Sequence, residues 1–305
     1  MGLQTAALRF LVREVLRKPF SGSVLTLGRQ CVYASFTQAV DICREEGFTP
    51  ARLPASLSLT SNIPSWQGTP LARNISDVAF FQLLGARAVT ALDYSDFEGA
   101  ELVFDLNQPV PAEWDSRFDL VLDAGTMEHV FDVRRVLMNC GRLLSAGGRV
   151  VHLSPANNYV NHGFFQFSPT LFLDYYHANR FSDVRAYVAE QMGRDGRYAA
   201  WDLFQLDLQR QPVCMRSSRQ MLAICVAEKS VHSTTDKLPM QGYYQSLFRQ
   251  ASEPAAPRED EPKRFTLRNV AKRFLPRWAK AVLRPYFVDQ GYRKPWASQH
   301  LGKLR

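Results

Sequence analysis

The sequence predicts an open α/β sheet, mostly parallel, with helices on both faces. Short apolar runs alternate with helical periodicity between residues 22 and 228. Several of those runs end on an acid or a glycine: VLTLG at Gly28, VTALD at Asp93, VFD at Asp105 and FDLVLDAG at Asp123 to Gly125. The stretch Phe118–Pro155 reads as strand, loop, helix, Gly147-Gly148 turn and strand. Ligands of such sheets bind beyond the carboxyl ends of the strands.

Taken in order, residues 3–17 place Leu8, Leu11, Val12, Val15 and Leu16 on one helical face and Arg9, Arg13 and Arg17 on another. Pro19 and the Ser21-Gly22-Ser23 turn end that helix, and Val24–Gly28 follows as a buried strand. Phe36–Glu46 is the next helix. Four prolines and many hydroxyl residues make 49–76 an irregular insertion. Asp77–Leu84 is a helix closed by Gly85; Val89–Leu92 and Glu101–Phe104 are strands. After the central unit, Ser168-Pro169 opens a helix to Asn179, proline being harmless in a first helical turn. Val184–Glu190 and Met221–Glu228 complete seven strands, with a long polar excursion between the last two.

The chain is expected to divide into an amphipathic helix (1–19), an α/β domain (20–229), a polar linker (230–262) and a basic amphipathic helical extension (263–305). Residues 254–305 hold thirteen Lys/Arg against four Asp/Glu, a net +9. The whole chain carries +8, so the remainder sums to −1 and the basicity belongs to the tail. Five scattered cysteines without a CxxC pair suggest buried thiols in a reducing cytosol, with neither a metal centre nor a disulfide framework. No apolar run approaches the ~20 residues of a membrane span.

FDLVLDAG, the Glu128-His129 pair and LLSAGGRVVHLSP recur in this order in class I S-adenosylmethionine (SAM)-dependent methyltransferases, which residues 22–228 resemble. That resemblance implies a Rossmann-like sheet of seven strands, the last antiparallel, and SAM as cofactor. NHGFFQFSPTLFLDYYHANRF is similar to bacterial members acting in surface-glycan and related biosynthesis, implying a small-molecule or glycan acceptor. Relatives carry several glycines after the first strand; this chain has Leu27-Gly28-Arg29-Gln30, with one.

A nucleotide-like ligand needs close backbone approach after the first strand and a carboxylate beyond the second. Gly28 and Asp93 hold those places, and the resemblance assigns Asp93 to the SAM ribose. Otherwise Asp93 caps a turn. The resemblance gives Asp105-Leu106 to the adenine, against an Asx turn with Asn107. It gives Arg29 and Gln30 to the methionine carboxylate, and Asp123 and Gly125 to the sulfonium end. His129 either contacts the cofactor or buttresses its loop.

The loop after the fifth strand mixes Asn157, Asn158, His162 and Gln166 with aromatics, suiting a polar acceptor or an ordinary connector. His162 is the candidate general base for methylation at oxygen. The single glycine also supports an alternative, a catalytically silent binding module or membrane-recruited scaffold. The basic terminal helices fit a peripheral contact with the inner membrane face, or packing on the domain or a second copy. They carry no groove-reading motif for nucleic acid.

Overall fold

The computed structural model describes residues 2–20, 22–192, 200–206, 215, 217–252 and 299–304. Its elements are α1 (Thr5–Arg17), β1 (Ser23–Leu27), α2 (Phe36–Glu45), α3 (Asp77–Leu83), β2 (Ala88–Asp93), β3 (Leu102–Val103), β4 (Phe118–Asp123), α4 (Val133–Leu143) and β5 (Leu144–Asn157). They continue as α5 (Pro169–Ala178), β6 (Ser182–Met192), β7 (Ala200–Gln205), β8 (Met221–Glu228), α6 (Gly242–Ser252) and β9 (Gln299–Leu304). Helix starts follow capping chemistry. Ser35 and Gln38 form a reciprocal capping box on α2, while Ser76, Asp132 and Ser168 each accept from a backbone N–H of the helix they precede.

One sheet of nine strands runs in the order β3-β2-β1-β4-β5-β8-β6-β7-β9. The five strands from β3 to β5 are parallel, and β8 inserts antiparallel between β5 and β6. Side chains alternate between two cores. Val24, Leu120 and Leu122 face α1, α2 and α3, while Leu25, Val121 and Val150 face α4 and α5.

The sheet exceeds the expected seven strands by two. β7 lies inside the polar excursion, where Ala200-Trp201 and Leu203-Phe204 supply enough apolar surface for an antiparallel partner of β6. β9 lies inside the expected helical extension and pairs with β7. The rest of that extension, 263–298 and Arg305, falls outside the described residues. The expected linker holds a helix, α6, and its first residues lie against the domain, where the Asn179 side chain bonds the Lys237 carbonyl. Glu128-His129 does not open a helix. It forms a short 3-10 turn, and α4 begins after the Asp132 cap.

α1 packs its apolar face into the core, with Leu8, Leu11, Val12 and Val15 buried against the sheet. Its arginines are paired. Arg9 bonds Glu45 and Glu46, Arg13 bonds Glu46, and Arg17 reaches Asp183. The membrane-facing expectation for this helix therefore gives way to packing on the domain. Among the described residues, no helix is long and apolar enough to cross a membrane.

Candidate functional site

Parallel strands deliver their carboxyl ends to one edge of the sheet, and there β1, β2, β3 and β4 open onto a cavity of about 550 Å3. Gly28, Asp93, Asp105, Leu106, Gly125 and His129 all line it. Gly28 has φ +74, a left-handed conformation that favours glycine, and a Cβ there would stand 3.2 Å from Thr126 Oγ1. The Gly28 amide donates to the Leu92 carbonyl at 2.7 Å, and Thr126 Oγ1 donates to the Leu27 carbonyl at 2.7 Å. The first loop is thus pinned between the ends of β2 and β4, with backbone exposed to the cavity.

Three acids, Asp93, Glu98 and Asp105, share this cavity. Glu98 is pushed above its ordinary range by burial and then by the charge of Asp93. A wall that concentrates negative charge suits a cationic ligand. Asp105 Oδ1 accepts from the Asn107 backbone at 2.9 Å and the Asn107 side chain at 2.8 Å, so the Asx turn is present. Leu106, nearly buried, offers an apolar surface beside it.

The expected carboxylate binders are differently committed. Arg29 lines the cavity, but its guanidinium bonds Glu101 at 2.5 Å and the Gly99 carbonyl at 2.5 Å, with Asp77 at 3.4 Å. Two acids already neutralise its charge. Gln30 donates through Nε2 to the carbonyls of Leu27 and Gly28, leaving Oε1 buried and, among the described residues, without a partner. An acceptor stands where the sequence suggested a donor.

Asp123 does not line the cavity. It is fully buried, accepts from the Thr126 and Met127 amides through Oδ1, and meets His152 Nδ1 through Oδ2 at 2.8 Å. His152 Nε2 lies 2.6 Å from the Tyr176 hydroxyl. With Nδ1 donating to the carboxylate, Nε2 accepts from tyrosine, and this chain fixes the turn after β4.

A second cavity, of about 220 Å3, meets the first at Ala124, which lines both. His162 lines it, as do Gln191 and Trp201 from β6 and β7. Three other expected acceptor residues lie elsewhere. Asn157 is exposed at the end of β5. Asn158, at φ +62, donates its amide to the Ser217 and Arg219 carbonyls. Gln166 Oε1 accepts from the Tyr159 amide at 3.0 Å. These side chains close the 157–167 loop on itself and its neighbours, because a loop this polar must satisfy its own backbone.

Between the cavities stands Glu128. It is fully buried, and among the described residues neither carboxylate oxygen has a hydrogen-bond partner. Burial, and then the charge of Asp123, push it up to about 8. His162 Nε2 lies 3.4 Å and His129 Nε2 3.9 Å from Glu128 Oε1, and burial lowers the pKa of both imidazoles. The loop is held there because the Phe164 amide donates to the Glu128 carbonyl at 2.8 Å, and Gly163 leaves no room for a Cβ. The three donor atoms lie within 4.8 Å of one another. Ligands of a tetrahedral divalent ion at ~2.1 Å sit ~3.4 Å apart, a spacing that the His162–Glu128 pair matches and the 3.9 Å His129–Glu128 pair exceeds.

Sequence reasoning missed Glu98, Gln191, Trp201 and the part played by Glu128. Gln191 left a trace: it continues the buried face of Tyr187 and Ala189 along β6, a polar residue in a core position. A further groove, about 770 Å3 between α2 and residues 47–59, lies away from the strand ends, and among the described residues its lining contains no acid–base pair.

No family model and no curated protein matches the chain. Among solved structures it is similar to the YcgJ protein of Bacillus subtilis, at 11% identity and TM-score 0.38, covering 73% of this chain and 97% of that one. It is also similar to a SAM-dependent methyltransferase from Archaeoglobus fulgidus, at 13% identity and TM-score 0.36, covering 73% and 94%. A third is the Burkholderia thailandensis 1,6-didemethyltoxoflavin-N1-methyltransferase with bound S-adenosylhomocysteine, at 12% identity and TM-score 0.33, covering 73% and 77%. Likenesses this distant leave the function to be read from the site itself.

Proposed function

We propose that this protein is a SAM-dependent methyltransferase acting at oxygen on a small molecule or glycan intermediate. One observation carries the reading: the 550 Å3 cavity gathers a glycine-lined approach, a carboxylate after β2 and an acid–apolar pair after β3 at one sheet edge. The residues fit the cofactor. Asp93 can accept from the ribose hydroxyls, Leu106 can cover the adenine, and the unpartnered Gln30 Oε1 suits the ammonium of the methionine end. The three acids of the cavity favour a sulfonium, and Gly125 lets backbone approach it.

Bound SAM would supply a methyl group open to in-line displacement, the oxygen–carbon bond forming as the sulfur–carbon bond breaks and sulfur keeps the electron pair. His162, held neutral by burial, accepts the hydroxyl proton at Nε2. Glu128 Oε1 lies 3.4 Å from the same Nε2, so the carboxylate, when ionised, can take that proton on from the imidazolium. His129 forms the wall between the cavities, its ring 5.2 Å from that of His162. One observation favours the catalytically silent alternative: Arg29 is engaged by acids, so the methionine carboxylate lacks a free cation there.

Titration calorimetry with SAM tests the reading. One-to-one binding is expected, weakened roughly ten- to hundred-fold in Asp93→Ala, as for loss of charge-assisted hydrogen bonds. Absence of binding by folded wild-type protein would move the reading to the silent module. Peripheral membrane contact through the C-terminal extension, homo-oligomerisation and a cytoplasmic location remain proposals from composition alone.

A further inference from the structure

We infer that the 220 Å3 cavity is the acceptor site, and that it takes a compact, uncharged, single-ring hydroxy compound bearing a lactam-type pair, a carbonyl beside an N–H. This rests on the methyl-transfer reading for the fate of the hydroxyl, but the cavity's own chemistry sets the ligand class.

Gln191 and Trp201 are directly paired residues of β6 and β7. Their side chains share one face of the sheet, where opposed Cβ atoms stand ~5 Å apart. Both residues line the cavity and are at least nine-tenths buried, at 5% and 2% exposed. Among the described residues, Gln191 Oε1 and Trp201 Nε1 have no hydrogen-bond partner. Leaving a buried polar atom unpaired is destabilising, and here an acceptor and a donor are left side by side. A lactam answers both, its carbonyl accepting from the indole and its N–H donating to the glutamine. The Gln191 backbone N–H donates to the Gln220 backbone carbonyl at 3.0 Å, which fixes the strand bearing that side chain.

Size and lining narrow the class. An apolar cavity of about 150 Å3 holds benzene, so 220 Å3 accommodates one substituted ring and excludes an oligosaccharide. Ala7, Leu153, Tyr159 and Leu222 supply mostly apolar walls, against which most hydroxyls of a hexose would go unsatisfied. Among the described residues no Lys, Arg, Asp or Glu side chain lines the cavity, which disfavours a charged acceptor. Ala124 lines both cavities, and His162, in the wall of this one, stands 5.2 Å ring to ring from His129 of the larger, so a ring hydroxyl turned that way meets the proposed base.

The test uses the full chain, 15N-labelled and with S-adenosylhomocysteine present, titrated with 5-hydroxy-2-pyridone, which is neutral at pH 7, and, separately, with phenol. The Trp201 indole N–H resonance, assigned by its loss in Trp201→Phe, should shift with the pyridone and saturate. Phenol, lacking the lactam pair, should bind at least fivefold more weakly. Gln191→Met, close in shape but without the amide, should weaken pyridone binding at least fivefold while the rest of the spectrum stays native. An unmoved Trp201 signal, or equal affinity in Gln191→Met, would overturn the assignment. Calorimetry with SAM separates the two readings. SAM binding with no pyridone response sinks the acceptor site alone, whereas pyridone binding without SAM binding keeps the cavity and sinks methyl transfer.

Discussion

At Glu128, burial and the nearby charge of Asp123 act in the same direction, raising its pKa from the ordinary 4.5 to about 8. The folded state therefore holds this proton more tightly than the unfolded chain. The stabilising contribution is fully present below about 4.5 and is lost as pH rises toward about 8. Glu128→Gln, which keeps the shape and cannot ionise, should flatten that dependence. Urea denaturation from pH 5 to 9 should show wild type losing ground to the variant by up to ~1.4 kcal/mol per unit. Parallel pH profiles for the two proteins would mean the carboxylate is ionised throughout. Gly28 is the complementary case, since its positive φ and the 3.2 Å approach to Thr126 were implicit in a lone glycine at a strand end.

At the level of elements, α1 shows how amphipathicity underdetermines a partner. The apolar stripe was legible, but a stripe fits a lipid surface as well as a sheet, and only the neighbours decide. Here Glu14, buried beneath the helix, accepts from Arg185 through both oxygens at 2.6 Å and lies 3.7 Å from Arg149 Nη1. Arg149 also donates to the Glu14 carbonyl at 2.9 Å and to the Lys18 carbonyl, tying the helix end to β5. Removing one member of a buried ion cluster costs about 3–5 kcal/mol, because the remaining charges stay buried without a counter-charge. Glu14→Ala should lower stability by that amount in chemical denaturation. A loss below ~1 kcal/mol would show that α1 is held by apolar contact alone. β7 and the 157–167 loop carry the same lesson. A strand inside a polar excursion, and asparagines used for loop closure, have local patterns too weak to reveal their partners.

For the whole molecule, the order of strands places both cavities. Parallel β1 to β4 bring four carboxyl ends to one edge, and β8, β6 and β7 extend the sheet to build the second cavity beside the first. β4, β5 and β8 are paired on both sides and largely buried on both faces, so they should hold the slowest-exchanging amides; β3, two residues at an edge, should exchange fastest among the strands. Hydrogen exchange read by mass spectrometry checks this, and comparable protection across the sheet would contradict it.

The sequence by itself determined the alternation of strands and helices. It also determined that Gly28, Asp93 and Asp105 would meet, because parallel strands must end on the same side and each of these residues closes one. Tertiary structure alone decided their neighbours. Arg29 is engaged by Asp77 and Glu101, 48 and 72 residues away, Glu128 faces His162 across a loop, and Gln191 stands opposite Trp201. Periodicity is a local property, set by the geometry of one element. Charge pairing and cavity chemistry depend on which distant strands and loops become adjacent, and that is settled only when the whole sheet assembles.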